Sequence, residues 1–222
     1  MKKKFKPKAI LFDYDGVIVD SERLCFMYYP IIYKQYGLKL NKKQALALRS
    51  AGYPARDNLL KKWYGIKKPR ELIFKIEHAL FNILDSNLKT NPIVLKPNVK
   101  QVLQKLSKKK IPMYIVSGTP SERIAQQTKA LGVYKYFTKV FCIYDVKYGK
   151  PYPDVYLKAC ENAKLSPQEC VAIEDSPNGI ISACTAGCKT IMVPDLSKPT
   201  KQMLKKYDFV VTNTFKDLLK LI

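Results

Sequence analysis

Acidic side chains follow a short apolar run near the start of the chain. In the stretch ILFDYDGVIVDSE, residues 10–22, Asp13 and Asp15 come directly after the apolar residues and Asp20 lies a little further on. Carboxylates that are crowded together raise one another's pKa unless a cation lies among them. Mg2+ binds one or two carboxylates and keeps water or phosphate oxygens as its other ligands. The pattern therefore predicts a site for a divalent cation that in turn binds a phosphate.

Three further segments carry residue types that suit phosphoryl transfer. Ser117-Gly118-Thr119 offers two hydroxyls, Gly149-Lys150-Pro151 a cation, and Glu174-Asp175 two carboxylates. A carboxylate can attack phosphorus, while a lysine and hydroxyls can bind the equatorial phosphoryl oxygens. Because ligands collect beyond the carboxyl ends of the strands in a doubly wound sheet, we expect these segments to meet in one crevice.

The elements that must position these residues are predicted as strands alternating with helices. Continuous apolar, β-branched runs are typical of parallel strands that are buried on both faces. Their alternation with helical patterns predicts an α/β fold with a doubly wound, Rossmann-like, mostly parallel sheet. The predicted strands are 9–14, 112–117, 140–145, 170–175, 189–194 and 208–212. The predicted helices between them are 98–109, 121–131, 153–163 and 177–186, the last capped by Gly187.

Residues 21–92 interrupt this alternation and are predicted to form an all-helical insertion, here called the cap segment. They contain no run typical of a buried strand, and their amphipathic stretches are 23–36, 42–50, 55–63 and 70–86. Asn91 and the prolines at 92 and 97 indicate a stiff connection back to the sheet. Two domains are therefore expected: a core domain of residues 1–20 and 93–222, and a helical cap domain of residues 21–92.

Four motifs in this order resemble those of the haloacid dehalogenase superfamily. They are DYDGV from Asp13, SGTP from Ser117, GKPYPDVY from Gly149 and EDSPNGI from Glu174. The resemblance covers essentially the whole chain. It is to the branch of phosphatases and phosphomutases with a helical cap after the first strand, the branch that includes β-phosphoglucomutase.

The resemblance implies roles for the acidic residues. Asp13 would be the nucleophile and a metal ligand, and Asp15 would be the general acid and base with its backbone carbonyl on the metal. Asp175 would ligate Mg2+, with Glu174 beside it as a ligand or as its support. Dehalogenases of the superfamily lack the second acid, since a halide leaving group needs no proton. The presence of Asp15 therefore favours phosphoryl transfer.

The resemblance also implies a phosphoryl-binding group. Ser117 and Lys150 would bind the transferring phosphoryl group, with Lys150 also steadying Asp13, and Gly118 and Thr119 would line the substrate site. Arg56 lies where relatives that handle sugar phosphates have a cap arginine, and it could bind a second anionic group. A solvated arginine at a helix start explains it equally well.

Two positions bear on the choice between hydrolysis and mutase activity. Members similar to β-phosphoglucomutase usually have a histidine a few residues after the DGV motif, and Cys25 takes that place here. Its absence favours simple hydrolysis, because a mutase must keep its phosphoenzyme while the substrate reorients. The single histidine, His78, is expected to be a surface or packing residue of the cap segment.

The composition limits the partners. The net charge is +22, from 40 Lys+Arg and 18 Asp+Glu, but the lysines are dispersed rather than gathered in one stripe. They are interpreted as solvated faces, and nucleic acid is not expected as a partner although the positive field would attract anionic substrates. No apolar run is long enough to suggest a membrane span. The six dispersed cysteines favour reduced thiols, and a cytoplasmic monomer is expected.

Together these observations predict a Mg2+-dependent phosphatase that hydrolyses a small phosphorylated metabolite, such as a sugar phosphate, through an aspartyl-phosphate. One alternative is a phosphomutase of the β-phosphoglucomutase type. Others are a phosphatase that acts on nucleotides or nucleic-acid ends, and a basic nucleic-acid-binding protein whose old active site is vestigial.

Overall fold

A six-stranded sheet lies at the centre of the fold. The computed structural model describes residues 4–49, 51–87, 90 and 92–222. The strands are β1 Ala9–Phe12, β2 Met113–Ser117, β3 Lys139–Cys142, β4 Cys170–Glu174, β5 Lys189–Met192 and β6 Phe209–Val211. Their order is β3-β2-β1-β4-β5-β6, and every neighbouring pair is parallel. The predicted doubly wound α/β fold is confirmed.

Helices cover both faces of this sheet and also form the cap segment. The α-helices of the described residues are α1 Glu22–Gln35, α2 Lys42–Leu48, α3 Ala55–Tyr64, α4 Pro69–Ser86, α5 Val99–Lys108, α6 Ser121–Ala130, α7 Asp154–Ala163, α8 Pro177–Ala186, α9 Lys201–Lys206 and α10 Leu218–Leu221. As predicted, Gly187 caps the end of α8. Its φ of 91° lies in the left-handed region that glycine adopts without strain.

The two sheet faces are packed by alternate residues of the strands. Ile10 and Phe12 of β1 contribute to a core with the apolar residues of α5, such as Leu103. Leu11, between them, packs on the other face with residues of α7 and α8, such as Tyr156. All residues of β1 are buried because neighbouring strands and both helical layers surround it. The residue that follows β1 is therefore held at the centre of the sheet's carboxyl edge.

The cap segment has a hydrophobic core of its own. Buried residues of α4 recur every three or four positions, at Ile73, Ile76, Leu80 and Leu84, and they share a cluster with Ile32 of α1. No strand is found between residues 21 and 92 where the structure describes them. The predicted helical character of this segment is thus observed, and its status as a separate domain stays a prediction.

Two chain crossings join the cap segment to the sheet. Residues 18–20 run out and residues 94–96 run back beside them, because the Asp20 amide donates to Val94 O over 2.9 Å and the Lys96 amide to Ile18 O over 3.0 Å. The Lys96 ammonium lies 3.4 Å from the Asp20 carboxylate. The predicted marker Asn91 lies outside the described residues.

Element ends differ from the predictions in a few places. The strand predicted over 140–145 is wrong at its end: β3 stops at Cys142 and Ile143–Asp145 forms a 3-10 turn. The Asp145 carboxylate accepts a hydrogen bond from the Cys142 amide over 2.7 Å, which turns the chain out of the sheet. Helix α2 ends at Leu48, and Ser50, at the end of its predicted range, lies outside the described residues. The short helices α9 and α10 were not predicted.

Most of the cysteines are buried, and the helices are short or polar. All six cysteines are free thiols, and four of them are buried: Cys142, Cys160, Cys170 and Cys188. Each helix in the described part of the chain is too short or too polar to traverse a lipid bilayer.

Candidate active site

Asp13 lies at the centre of the carboxyl edge of the sheet. It directly follows β1, and its amide continues the parallel ladder by donating to Ile173 O of β4 over 2.9 Å. The next residues turn sharply, with Gly16 at a φ of 78° and the Ile18 amide donating to Tyr14 O over 2.9 Å. Tyr14 is buried in the core, whereas Asp13 and Asp15 both line one pocket. The alternation of side chains in this motif thus delivers two carboxylates to one site.

Lys150 joins three of the predicted segments. Its ammonium donates to Asp13 Oδ1 over 2.9 Å, to Glu174 Oε1 over 2.7 Å and to the carbonyl of Val116 over 3.0 Å. The side chain is buried. Burial lowers the pKa of Lys150, but the neighbouring Asp13 and Glu174 carboxylates outweigh it, so that the pKa is raised and the amine stays charged.

The buried position of Asp13 strongly perturbs its ionisation. Burial, and then the negative charge of Glu174, raise its pKa well above the ordinary value, and Lys150 opposes them. The Glu174 carboxylate also accepts a hydrogen bond from the Tyr156 hydroxyl over 2.6 Å. A cation added to this site would stabilise the ionised acids, because their charge is only partly balanced by one lysine.

The acids form a cluster that fits a divalent cation. Asp13, Glu174 and Asp175 are buried, and each offers a carboxylate oxygen within 4.8 Å of the other two. Asp175 Oδ1 is buried and has no hydrogen-bond partner among the described residues, as expected of an oxygen that can ligate a cation. Gly179 leaves space for the cluster, since a Cβ there would lie 2.0 Å from Glu174 Oε2. A hard, oxygen-binding ion such as Mg2+ suits this donor set.

Asp15 points away from this cluster and toward hydroxyl groups. Its Oδ1 accepts from Ser21 Oγ over 2.5 Å, and its Oδ2 accepts from Ser117 Oγ over 3.2 Å and from Thr119 Oγ1 over 2.7 Å. The Thr119 amide in turn donates to Ser117 Oγ over 3.0 Å. The two hydroxyls predicted to bind a phosphoryl group are thus paired with the predicted general acid. Gly118 between them lines the pocket, and an added Cβ would meet no atom within 4 Å.

The cap segment closes the opposite side of the pocket. Arg56 lines it with a side chain that is only 13% exposed, so it is not a solvated arginine. Its guanidinium lies 2.6 Å from Glu77 Oε1, and Glu77 also accepts from the Tyr53 hydroxyl over 2.9 Å. Sequence reasoning did not identify Glu77 or Tyr53, since nothing in the local sequence distinguishes them from other residues of amphipathic helices.

A second arginine reaches the acid cluster and was also missed. Arg49, just after α2, is buried and forms an ion pair with Asp175. Its Nε lies 3.0 Å from Glu22 Oε2. Burial raises the pKa of Glu22 to about 7, although the Arg49 charge opposes the shift. The sequence signal was indirect. A group of acids with excess negative charge requires positive charge nearby, and sequence reasoning assigned that role to a metal ion alone.

The pocket between the two sides is small. It contains about 110 Å3, below the roughly 300 Å3 at which pockets for drug-sized ligands begin. Cys25 lines it at the position where the related histidine would lie. His78 is exposed and pairs with Asn82 over 3.2 Å, as expected for a surface residue.

Two polar side chains near the site bind backbone groups rather than the acids or the lysine. The side-chain amide of Asn178 donates to the backbone carbonyl of Arg49 over 2.9 Å. The Asp145 carboxylate accepts from the Cys142 amide, and the acids that contact Lys150 are Asp13 and Glu174.

Comparison with known proteins identifies the family. The family described as haloacid dehalogenase-like hydrolase matches residues 10–193. The chain belongs to this family. As a haloacid dehalogenase-like hydrolase it is an enzyme, and among its relatives is the phosphorylated carbohydrates phosphatase of Thermotoga maritima, which is 31% identical over 187 residues and 83% of each chain.

The chain is also similar to a second phosphatase in sequence and to a solved structure in fold. The 6-phosphogluconate phosphatase of Escherichia coli is 26% identical over 186 residues, 81% of this chain and 79% of that one. The crystal structure of β-phosphoglucomutase from Clostridium difficile has the same fold, with a TM-score of 0.75 and 20% identity over 97% of this chain and 96% of that one. The resemblance stated from the motifs is confirmed at the level of the family, and the role of each site residue stays a prediction.

Proposed function

We propose that this hydrolase is a Mg2+-dependent phosphatase that acts on a small phosphorylated metabolite, such as a sugar phosphate. The observation that carries the proposal is the contact of Lys150 with both Asp13 and Glu174, beside a pocket that Asp13 and Lys150 line. It unites a buried nucleophile, a fixed cation and a group of acids suited to a metal. These are the parts needed to transfer a phosphoryl group to a carboxylate.

In this proposal Asp13 attacks the substrate. Lys150 and the Tyr14 amide both donate to Asp13 Oδ1, so Oδ2 is the oxygen proposed to form the bond to phosphorus. As that bond forms, the bond from phosphorus to the ester oxygen breaks, and an aspartyl-phosphate remains. Water then attacks phosphorus, which releases inorganic phosphate and restores Asp13.

Asp15 is proposed to move the protons. It donates a proton to the departing alcohol oxygen and later takes one from the attacking water. This role is supported by the hydrogen bonds that the Asp15 carboxylate accepts. The Ser21 hydroxyl donates to one of its oxygens, and the Ser117 and Thr119 hydroxyls donate to the other. These hydroxyls orient the acid before substrate binds, and those of Ser117 and Thr119 then exchange this contact for the phosphoryl oxygens, while Gly118 lines the substrate site between them.

Mg2+ is proposed to bind Asp13, Asp175 and the backbone carbonyl of Asp15, with Glu174 as a ligand or as a support that stays on Lys150. When bound, the ion supplies charge that reduces the repulsion between an anionic nucleophile and an anionic substrate. The unpartnered Asp175 Oδ1 and the buried acid cluster support this assignment.

The cap segment is proposed to act as a domain that selects the substrate. Arg56 lines the pocket across from Asp13 and is placed to bind a second anionic or hydroxyl group once Glu77 yields. Relatives named for phosphorylated carbohydrates and for 6-phosphogluconate support a sugar phosphate. A pocket of about 110 Å3 suits a small molecule better than a polymer end.

Cys25 favours hydrolysis over a mutase in this proposal. Burial raises the pKa of its thiol well above the ordinary value, so the group stays neutral and is a weak hydrogen-bond donor. It cannot replace an imidazole in holding a phosphoenzyme for a second transfer. We further propose that the enzyme works as a cytoplasmic monomer and that its dispersed lysines steer anionic substrates rather than bind nucleic acid.

The test is hydrolysis of an aryl phosphate with Mg2+ and with EDTA. We expect release of phosphate that requires Mg2+ and is lost in Asp13→Asn, while Asp217→Asn, near the C-terminus, keeps it. Turnover that survives both EDTA and Asp13→Asn would overturn the mechanism. A panel of phosphorylated sugars ranked by kcat/KM then defines the substrate, and isomerisation of a sugar 1-phosphate faster than phosphate release would show a mutase instead.

A further inference from the structure

A guanidinium from the cap segment occupies the edge of the acid cluster. Arg49 is 4% exposed and forms an ion pair with Asp175, one of the proposed metal ligands. Its Nε lies 3.0 Å from Glu22 Oε2, and its Nη1 donates to Ser197 Oγ over 3.3 Å. The side chain thus connects the cap segment to two loops of the core and to the start of α1.

The backbone of Arg49 also contacts the core. Its carbonyl accepts a hydrogen bond from Asn178 Nδ2 over 2.9 Å, at the start of α8. Asn178 lies in the same motif as Asp175. A displacement of the Arg49 side chain would therefore act on a segment that is docked against the metal-binding loop itself.

The charges explain why an arginine lies there. Asp13, Glu174, Asp175 and Glu22 are all buried. Lys150 contacts the first two and Arg49 contacts the other two. An arginine does not lose its proton in a protein, so Arg49 brings a permanent positive charge to these acids. A buried carboxylate without such a partner would be strongly unfavourable.

A dication bound to Asp175 Oδ1 and the guanidinium on Asp175 Oδ2 would repel each other across one carboxylate. Both are positive, both bind carboxylate oxygens, and little water is present there to screen them. We infer that Arg49 is an internal counter-ion that holds the cap segment on the acid cluster when no metal is bound, and that the metal displaces it. This inference rests on the proposed function, since it requires the acid cluster to bind Mg2+.

Displacement would couple the metal to the cap segment. Coupling between two binding events is reciprocal: if Mg2+ weakens the contact of Arg49, then Arg49 weakens the binding of Mg2+ by the same factor. Once released, the guanidinium stays in the wall of the substrate pocket, where an anionic substrate could bind it. Arg49 is thus a positioning residue. It joins the cap segment to the acid cluster when no metal is bound, and to an anionic substrate after the metal has displaced it.

The test is the dissociation constant of Mg2+, measured by calorimetry on protein stripped with EDTA. We expect Arg49→Gln to bind Mg2+ at least about tenfold more tightly than the natural protein, because a charge-assisted contact that competes with the metal is removed. Arg49→Lys keeps the charge with a smaller donor set and should lie between them. Arg123→Gln is the matched control, since Arg123 joins the cap segment to α6 through Asp85 and has no contact with the acid cluster; its constant should not change.

A second readout separates competition from general damage. Without metal, Arg49→Gln should have a lower melting temperature, and Mg2+ should raise it by more than it raises that of the natural protein. Equal or weaker Mg2+ binding by a folded Arg49→Gln would overturn the inference and leave the proposed function intact. If neither protein takes up Mg2+, the metal site of the proposed function fails, and this inference with it.

Discussion

Replacing Lys150 with methionine tests the central contact of the site. The substitution keeps the length and apolar stem of the side chain and removes its ammonium. That ammonium now donates to Asp13, to Glu174 and to the Val116 carbonyl, all buried. The variant therefore leaves two buried carboxylates and one carbonyl without this donor.

The expected cost follows from these contacts. Removing one partner of a buried ion pair typically costs about 3–5 kcal/mol, since the remaining charge stays buried. Glu174 keeps the hydrogen bond from the Tyr156 hydroxyl and Asp13 keeps the one from the Tyr14 amide, but both acids lose their charged partner. Asp13 can relieve this loss by taking up a proton, because burial already raises its pKa well above the ordinary value. We therefore expect the cost at pH 8 to exceed the cost at pH 5.

The assay is urea unfolding in EDTA at both pH values, with Lys158→Met as the matched control. Lys158 pairs with Glu161 over 2.9 Å, but its side chain is 47% exposed, and exposed pairs contribute about 0–1 kcal/mol. With a urea m-value of about 2 kcal/mol/M, Lys150→Met should lower the midpoint at pH 8 by roughly 2 M. Phosphatase activity should be lost in Lys150→Met alone.

One result would refute this reasoning. If Lys150→Met unfolds within about 1 kcal/mol of the natural protein at pH 8, as Lys158→Met should, then the acids are not buried charges that depend on this lysine. The electrostatic basis of the proposed site would then be wrong, whatever the effect on turnover.

Two further substitutions test the surroundings of the acids. Burial raises the pKa of Glu22 to about 7, above its ordinary 4.5. The protonated side chain therefore contributes its full stabilisation below about pH 4.5, and this contribution is lost as the pH rises through 7. Relative to the natural protein, the free energy of unfolding of Glu22→Gln should rise by on the order of 3 kcal/mol between pH 5 and pH 8 in EDTA, and parallel urea curves would contradict this. Gly179→Ala should lower the free energy of unfolding by about 1–3 kcal/mol and weaken Mg2+ binding, because its Cβ would meet the Glu174 carboxylate. Gly118→Ala meets no atom within 4 Å and should unfold as the natural protein does.

The fold was predictable because its strands are read directly from composition and order. Each predicted strand overlaps an observed one, since a strand with helices on both faces is apolar along almost its whole length: β1 is apolar throughout, and β4 is apolar up to its last residue, Glu174. The ends were less predictable. At the end of β3, one hydrogen bond from the Cys142 amide to Asp145 turns the chain into a 3-10 turn within an apolar run. The spacing of apolar residues does not predict such a hydrogen bond.

The site was predictable on its core side and not on its cap side. Asp13, Lys150 and Glu174 follow buried strands or adjacent loops, so the topology of a parallel sheet brings them together. Glu77 reaches the pocket from α4 and Arg49 from the turn after α2, and the placement of both elements depends on tertiary packing. The local sequence of a helix does not indicate which neighbouring element its charged face will contact.

The pairing of the pocket arginines explains how a strongly basic chain can keep a selective site. Arg49, Arg56 and Arg123 line the pocket, and each is already paired with a carboxylate: Asp175, Glu77 and Asp85 respectively. An anion that enters must therefore replace a carboxylate rather than meet a free charge, and it gains only the difference between two ion pairs. The surplus of the +22 net charge lies elsewhere, on dispersed lysines, where it can raise the rate of encounter with every anionic metabolite alike. Attraction and discrimination are thus separated in space, and substrate choice is expected to depend on the exchange of partners by the guanidinium groups of the pocket.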